Sequence, residues 1–200
     1  MKEPALPLRD DLRWRRLQRH GAMCPSCGEV HKGLLDLASD EPAFWRDRAS
    51  TPEPNGALAD RTHVLTHDFC VVDGTDYFIR CVLYLPIEGG EGVQFGYGVW
   101  SSLSAANFAV YRDTFHADDQ GKQGPWFGYF SSALKGYPKT VGLKCKVHPR
   151  DGGQRPWLEL EPTDHPLAVE QRDGITLDRI FEIFALNGHD LRPTLGQSLM

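Results

Sequence analysis

Two cysteines and a histidine lie close together near the N-terminus, in the segment Cys24-Pro-Ser-Cys27-Gly-Glu-Val-His31. Two thiolates separated by two residues can face one metal ion when the chain turns tightly, and a glycine after the second cysteine relieves that turn. His31 follows closely enough to reach the same ion. The spacing therefore predicts a zinc-knuckle-like segment that supplies at most three of the four ligands of a structural zinc.

The fourth ligand must come from elsewhere in the chain, and Cys70 is the first candidate, with His67 and His63 near it in sequence. Because this set is rich in cysteine, the predicted zinc is structural rather than catalytic. Two alternatives stay open, a redox dithiol and cysteines without a ligand. A thioredoxin-like motif opens a helix after a strand, which this segment does not resemble. The predicted metal site consists of Cys24, Cys27, His31 and Cys70.

Other chemically active side chains are scattered, and the sequence identifies no catalytic residue among them. His165 follows Asp164 and precedes Pro166, so it is either an imidazole oriented by a carboxylate or a histidine fixed in a turn. Arg80 and Arg155 could bind a carboxylate or phosphate if they converge, and otherwise they form separate surface salt bridges.

Composition and charge exclude several classes of protein. The 200 residues include 40% apolar and 24% charged residues and carry a net charge of −5, which is typical of one ordinary globular domain. Nucleic acid is not an expected partner, because such binders usually have a basic excess. No apolar run approaches the roughly 20 residues that cross a bilayer. Five cysteines without a secretion signal predict a reducing, cytoplasmic location.

The elements that must position these residues are mainly strands. From His63 onward the chain is rich in Val, Ile, Tyr, Phe and Trp, and Asp73–Gly74 is a hairpin signal between two strands. Ser104 is a helix cap before an apolar stripe, and Gly188 ends a last amphipathic helix. The pattern predicts an α+β fold, with a mainly antiparallel sheet of about five or six strands, a few packing helices and the N-terminal knuckle. The predicted division is a charged leader (1–21), one domain (22–190) and a tail (191–200).

Five segments in order resemble the bacterial domain of unknown function 2199 family, over about residues 22–185; they are CPSCGEVH, HDFCVVDGTDYFIRCVLYLPI, FGYGVWSSLSAANF, GPWFGYFSSALKGYPKTVGLK and RPWLELEPTDHPLAVEQRDGI. The family pattern has a Cys-x-x-Cys-Gly-x-x-His opening and a later Asp-x-Cys. The resemblance therefore groups Cys24, Cys27, His31, Asp68 and Cys70. Cys81 stands where the family more often has a small residue, so it is not an expected ligand. The resemblance implies no catalytic residue, and the leader lies outside it.

These observations predict a cytoplasmic protein with a structural zinc that acts as a binding module for a protein or small ligand. A first alternative is an immunity or antitoxin-like protein, because a small acidic domain suits the neutralisation of a basic toxin. A second alternative is a metal-assisted hydrolase or thiol enzyme that uses Cys70 or His165.

Overall fold

The computed structural model describes residues 6–46, 51–59 and 61–196. In these ranges the helices α1 to α5 are Leu12–Arg19, Ala105–Asp113, Pro166–Asp173, Leu177–Leu186 and Arg192–Leu195. The strands β1 to β10 are Ala22–Met23, Val30–His31, Leu37–Ala38, Val64–Leu65, Phe69–Val72, Asp76–Pro86, Gln94–Leu103, Trp126–Tyr129, Lys144–His148 and Trp157–Leu160. None of the described helices has the length and apolar character needed to cross a membrane.

The two longest strands, β6 and β7, form the centre of the main sheet. They pair antiparallel from Tyr77 opposite Leu103 to Pro86 opposite Gln94. Along β6 every second residue is buried in the main core, as the two-residue period of a strand requires. The turn before β6 has positive φ at Asp73 (53°) and Gly74 (69°), which confirms the predicted hairpin.

Five strands of the main sheet curl into a closed ring. Their order is β7-β6-β10-β9-β8, and a bridge between Ser101 and Phe130 joins the end of β8 back to β7. Gly128 allows this closure, because a Cβ there would lie 2.4 Å from the Ser102 carbonyl oxygen. The ring encloses buried side chains of the apolar core, including those of Cys81, Leu83, Cys145, Val147 and Leu158.

The α+β prediction is confirmed, but the sheet is larger than expected and partly parallel. It has eight strands rather than five or six, and a separate sheet contains β1 and β2. The pairings β6–β10 and β3–β7 are parallel. Strands of two residues, such as Leu37–Ala38, are too short for an alternating pattern, so the sequence gives no signal for them. The direction of pairing between distant strands is likewise not encoded locally.

Helices cover the ring and extend the core to both ends of the described chain. Ser104 accepts a hydrogen bond from the Asn107 N–H and caps α2, as predicted. The predicted leader contains α1, whose Leu17 is fully buried, and the predicted tail contains α5, whose Leu195 is also buried. Residues 1–5 and 197–200 of those two segments lie outside the described residues.

Candidate metal centre

The knuckle is a tight loop between β1 and β2. The Cys24 N–H donates to the Glu29 carbonyl, and the Gly28 N–H donates back to the Cys24 carbonyl, both at 2.8 Å. Gly28 has a φ of 76°, a left-handed conformation that glycine adopts without strain. This turn brings the side chains of Cys27 and His31 together, with 3.1 Å between Sγ and Nε2. The local geometry is the one that the Cys-x-x-Cys-Gly spacing predicts.

A second histidine reaches the knuckle from the far end of the chain. Helix α4 ends at Leu186, and Gly188 follows with a φ of 90°. The chain reverses there, and the His189 N–H donates to the Phe184 carbonyl at 2.8 Å. As a result, the His189 Nδ1 lies 3.9 Å from the Cys24 Sγ.

Four ligand atoms therefore lie together, all within 4.8 Å of one another, and they belong to Cys24, Cys27, His31 and His189. The two imidazole rings are nearly perpendicular, with centroids 5.3 Å apart. In a tetrahedral site with Zn–S bonds near 2.3 Å and Zn–N bonds near 2.0 Å, ligand atoms are about 3.4–3.8 Å apart. The cluster has these dimensions to within about an ångström and could hold one metal ion.

The surroundings of Cys24 favour its ionised form. Burial raises the pKa of this thiol, but hydrogen bonds from the Cys27 backbone N–H and from His189 outweigh burial and lower the pKa to about 6. A thiolate is the form of cysteine that binds metals. Cys24 is therefore prepared for a ligand role before any ion binds.

Cys70, the predicted fourth ligand, does not join this cluster. It lies in β5 opposite Phe78 of β6, and the sheet fixes it there. Its side chain is buried in a second apolar cluster with Trp45, Leu65, Val72, Phe78 and Trp100. Burial raises the pKa of its thiol to about 12. His63 is in the same region, stacked on Trp45 at 4.4 Å, so the knuckle's fourth partner is His189 instead.

Sequence reasoning missed His189 because no spacing motif connects it to residues 24–31. The available signals were indirect: the knuckle lacked one ligand, and His189 directly follows the glycine that ends α4. A helix end is a fixed point from which a side chain can reach a neighbouring segment. The residues around His189, however, do not indicate which segment of the chain packs against the end of α4.

His165 caps helix α3 in the structure. Its Nδ1 accepts a hydrogen bond from the Leu167 N–H at 3.2 Å, and Pro166 occupies the first position of the helix. This geometry is that of a histidine fixed in a turn, with Nδ1 serving as the cap of the helix.

Comparison with known proteins adds one finding. A family model described as "Uncharacterized protein conserved in bacteria (DUF2199)" matches residues 23–175. The match includes the knuckle, Asp68 and Cys70 but ends before His189. Searches of curated proteins and of solved structures gave no match.

Proposed function

Because the chain belongs to DUF2199, a family of uncharacterised conserved bacterial proteins, we propose its function from its own cluster: a binding module held together by one structural zinc ion. The ligands are Cys24, Cys27, His31 and His189. The observation that carries the proposal is the convergence of these four ligand atoms within 4.8 Å.

The ligand types support zinc, and their number supports a structural role. Two thiolates and two imidazoles form a Cys₂His₂ set, which is common in structural zinc sites. A catalytic zinc keeps one position for water or substrate, whereas four protein ligands complete the tetrahedron. The proposed ion therefore stabilises the fold.

The part of the fold that zinc would stabilise is small. The sheet of β1 and β2 pairs only two residues on each strand, and a hairpin of that size is marginal in water. The Thr194 hydroxyl donates to the Met23 carbonyl at 2.9 Å, and the Gly33 N–H donates to the Leu17 carbonyl at 3.1 Å. Zinc would add a strong link between this hairpin and the end of α4.

The state of Cys70 argues against thiol catalysis by this residue. A nucleophilic cysteine needs a lowered pKa, whereas burial raises the pKa of Cys70 to about 12. The cytoplasm is the proposed location, since reduced cysteines are stable in that compartment.

The test is the zinc content of untagged protein, measured by mass spectrometry of the metal. We expect about one equivalent in the wild type and less than half an equivalent in Cys24→Ala and His189→Ala. Cys70→Ala is the matched control and should keep its zinc. A wild type without zinc would refute the proposal. Loss of zinc in Cys70→Ala but not in His189→Ala would refute the proposed ligand set.

A further inference from the structure

Arg80 is a half-buried cation on the outer face of β6. It lies opposite Trp100 across the β6–β7 pair, with its guanidinium carbon 5.8 Å from the centroid of the tryptophan ring. Its Nε is buried and has no hydrogen-bond partner. Within residues 6–46, 51–59 and 61–196, no carboxylate lies within ion-pair distance of this guanidinium. A half-buried guanidinium without a carboxylate partner can be stabilised by an anion that binds to the exposed part of the group.

A second arginine adds positive charge at the same place. Burial lowers the pKa of Arg80, and the charge of Arg155 lowers it further, while Asp40 and Asp68 partly offset these effects. The geometry also places the two arginines near each other, because Asp68 accepts the Arg80 backbone N–H at its carbonyl and the Arg155 Nε at its carboxylate. An anion between them would relieve the repulsion between their charges and satisfy the Arg80 donors.

Asp68 fixes the arrangement. Its Oδ1 accepts from the Arg155 Nε at 2.7 Å, and its Oδ2 accepts from the Asn55 Nδ2 at 2.8 Å. Its carbonyl accepts the Arg80 backbone N–H at 2.9 Å. Asp68 therefore fixes the side chain of Arg155 and the backbone of Arg80. The zinc cluster does not involve Asp68, so this contact gives the Asp-x-Cys motif a separate role.

The surrounding face has a surplus of positive charge and borders a cleft. The Arg150 Nε donates to the Arg155 carbonyl at 2.6 Å, and its Nη1 reaches the Tyr84 hydroxyl at 3.4 Å. Arg80, Arg150 and Arg155 thus outnumber the two carboxylates, Asp40 and Asp68, whose charges act on Arg80. Tyr84 also lines a cleft of about 620 Å³ together with Pro86, Gln94, Trp157, Glu159 and Leu160. The cleft thus lies further along β6 than Arg80, and Tyr84 and Arg150 connect it to the arginines.

We propose that Arg80 and Arg155 bind the oxyanion group, phosphate or carboxylate, of a small ligand. Guanidinium groups present paired N–H donors that match the geometry of both kinds of oxyanion. This site specifies the chemical group that the proposed binding module would recognise. Its geometry does not depend on the zinc cluster.

The test is a titration of the full chain with inorganic phosphate, and separately with acetate, at constant ionic strength. Binding is followed by the NMR shift of the Trp100 indole N–H, whose ring centroid lies 5.8 Å from the Arg80 guanidinium carbon. We expect saturable binding, with phosphate tighter than acetate because it carries more charge. Arg80→Met should weaken binding by about 10-fold or more, since it removes a charge-assisted contact. Acetate binding tighter than phosphate would assign the site to a carboxylate ligand.

Arg9→Met is the control, because Arg9 forms an exposed pair with Glu91. It should leave phosphate binding unchanged. Arg155→Met repeats the test at a more exposed residue if Arg80→Met does not fold. Equal affinity in the wild type and the folded variant, or shifts no larger than those with chloride, would overturn the proposal. Zinc content measured on the same samples separates this failure from a failure of the zinc proposal.

Discussion

Cys24 in the knuckle and Cys81 in the closed ring are both fully buried, yet their thiols are held in opposite states. Burial raises the pKa of Cys81 well above its usual value, and it raises the pKa of Cys145 to about 11. At Cys24 the hydrogen bonds from the Cys27 N–H and His189 outweigh burial, and the pKa falls to about 6. Cys24 is covered but lies just beneath the surface, so its hydrogen-bond donors can outweigh burial, whereas the deeper Cys81 has no such compensation.

The same two regions also differ in what holds them together. The ring contains β6 and β7, which pair along ten positions over a continuous apolar core. The metal centre rests on a hairpin with two paired positions and on side chains that converge from distant segments. The ring therefore depends on burial of apolar surface, whereas the proposed metal centre would depend on the bound ion.

The largest expected contrast is in thiol labelling. In chelator-treated protein at pH 7, Cys27 should react rapidly because it is exposed, and Cys24 should follow because its pKa is lowered and only a two-position hairpin covers it. The three other cysteines should react at least about 100-fold more slowly, since their labelling requires the sheet to open. Mass mapping of a timed reaction would show this. Denatured protein, in which all five react alike, is the control. Labelling of Cys70 as fast as that of Cys24 and Cys27 would contradict the expected difference in rate between the two regions.

A cavity in the ring should lower the free energy of unfolding without lowering the zinc content. Leu83→Ala removes a fully buried side chain, and we expect a loss of about 2–5 kcal/mol in the free energy of unfolding. Urea denaturation measures the change. Leu12→Ala is the matched control at a leucine that is 74% exposed, and it should change stability by less than about 0.5 kcal/mol. Zinc content should stay near one equivalent in both. Loss of zinc from folded Leu83→Ala would contradict the separation of the two regions.

The smallest effect is expected at the cap of α1, which supports the hairpin through Leu17. Asp11 accepts hydrogen bonds from the Arg13 and Trp14 N–H groups. Asp11→Ala should cost about 1 kcal/mol, measured by urea denaturation at pH 7. Asp10→Ala, at an exposed neighbour, is the control.

This contribution should depend on pH in a defined direction. The hydrogen bonds and charge of Arg13 outweigh burial and lower the pKa of Asp11 in the folded protein. A lowered folded pKa gives stability above the unfolded pKa of about 3.9, and that stability is lost as the pH falls through the folded value. The difference between the wild type and Asp11→Ala should therefore shrink below about pH 4. A difference that grows in acid would contradict this assignment.

Features with local signals were predictable from the sequence. The Asp73–Gly74 turn, the Ser104 cap and the knuckle each depend on residues within a few positions of one another. His189 and the bridge between Ser101 and Phe130 could not be predicted in this way, because both depend on how distant segments pack. Cys70 was a reasonable fourth ligand on spacing alone. The alternation of β5, however, directs Cys70 and Val72 into the cluster around Trp100.

The position of His189 also sets an order of events during synthesis. It follows Cys24 by 165 residues, so it leaves the ribosome on the order of 10–30 s later, at roughly 5–20 residues per second. Strands β3 to β10 and helices α2 to α4 are all made in that interval. A nascent chain can therefore offer only the incomplete knuckle to a metal. Uptake of zinc by all four ligands would mark a chain that has been translated through residue 189.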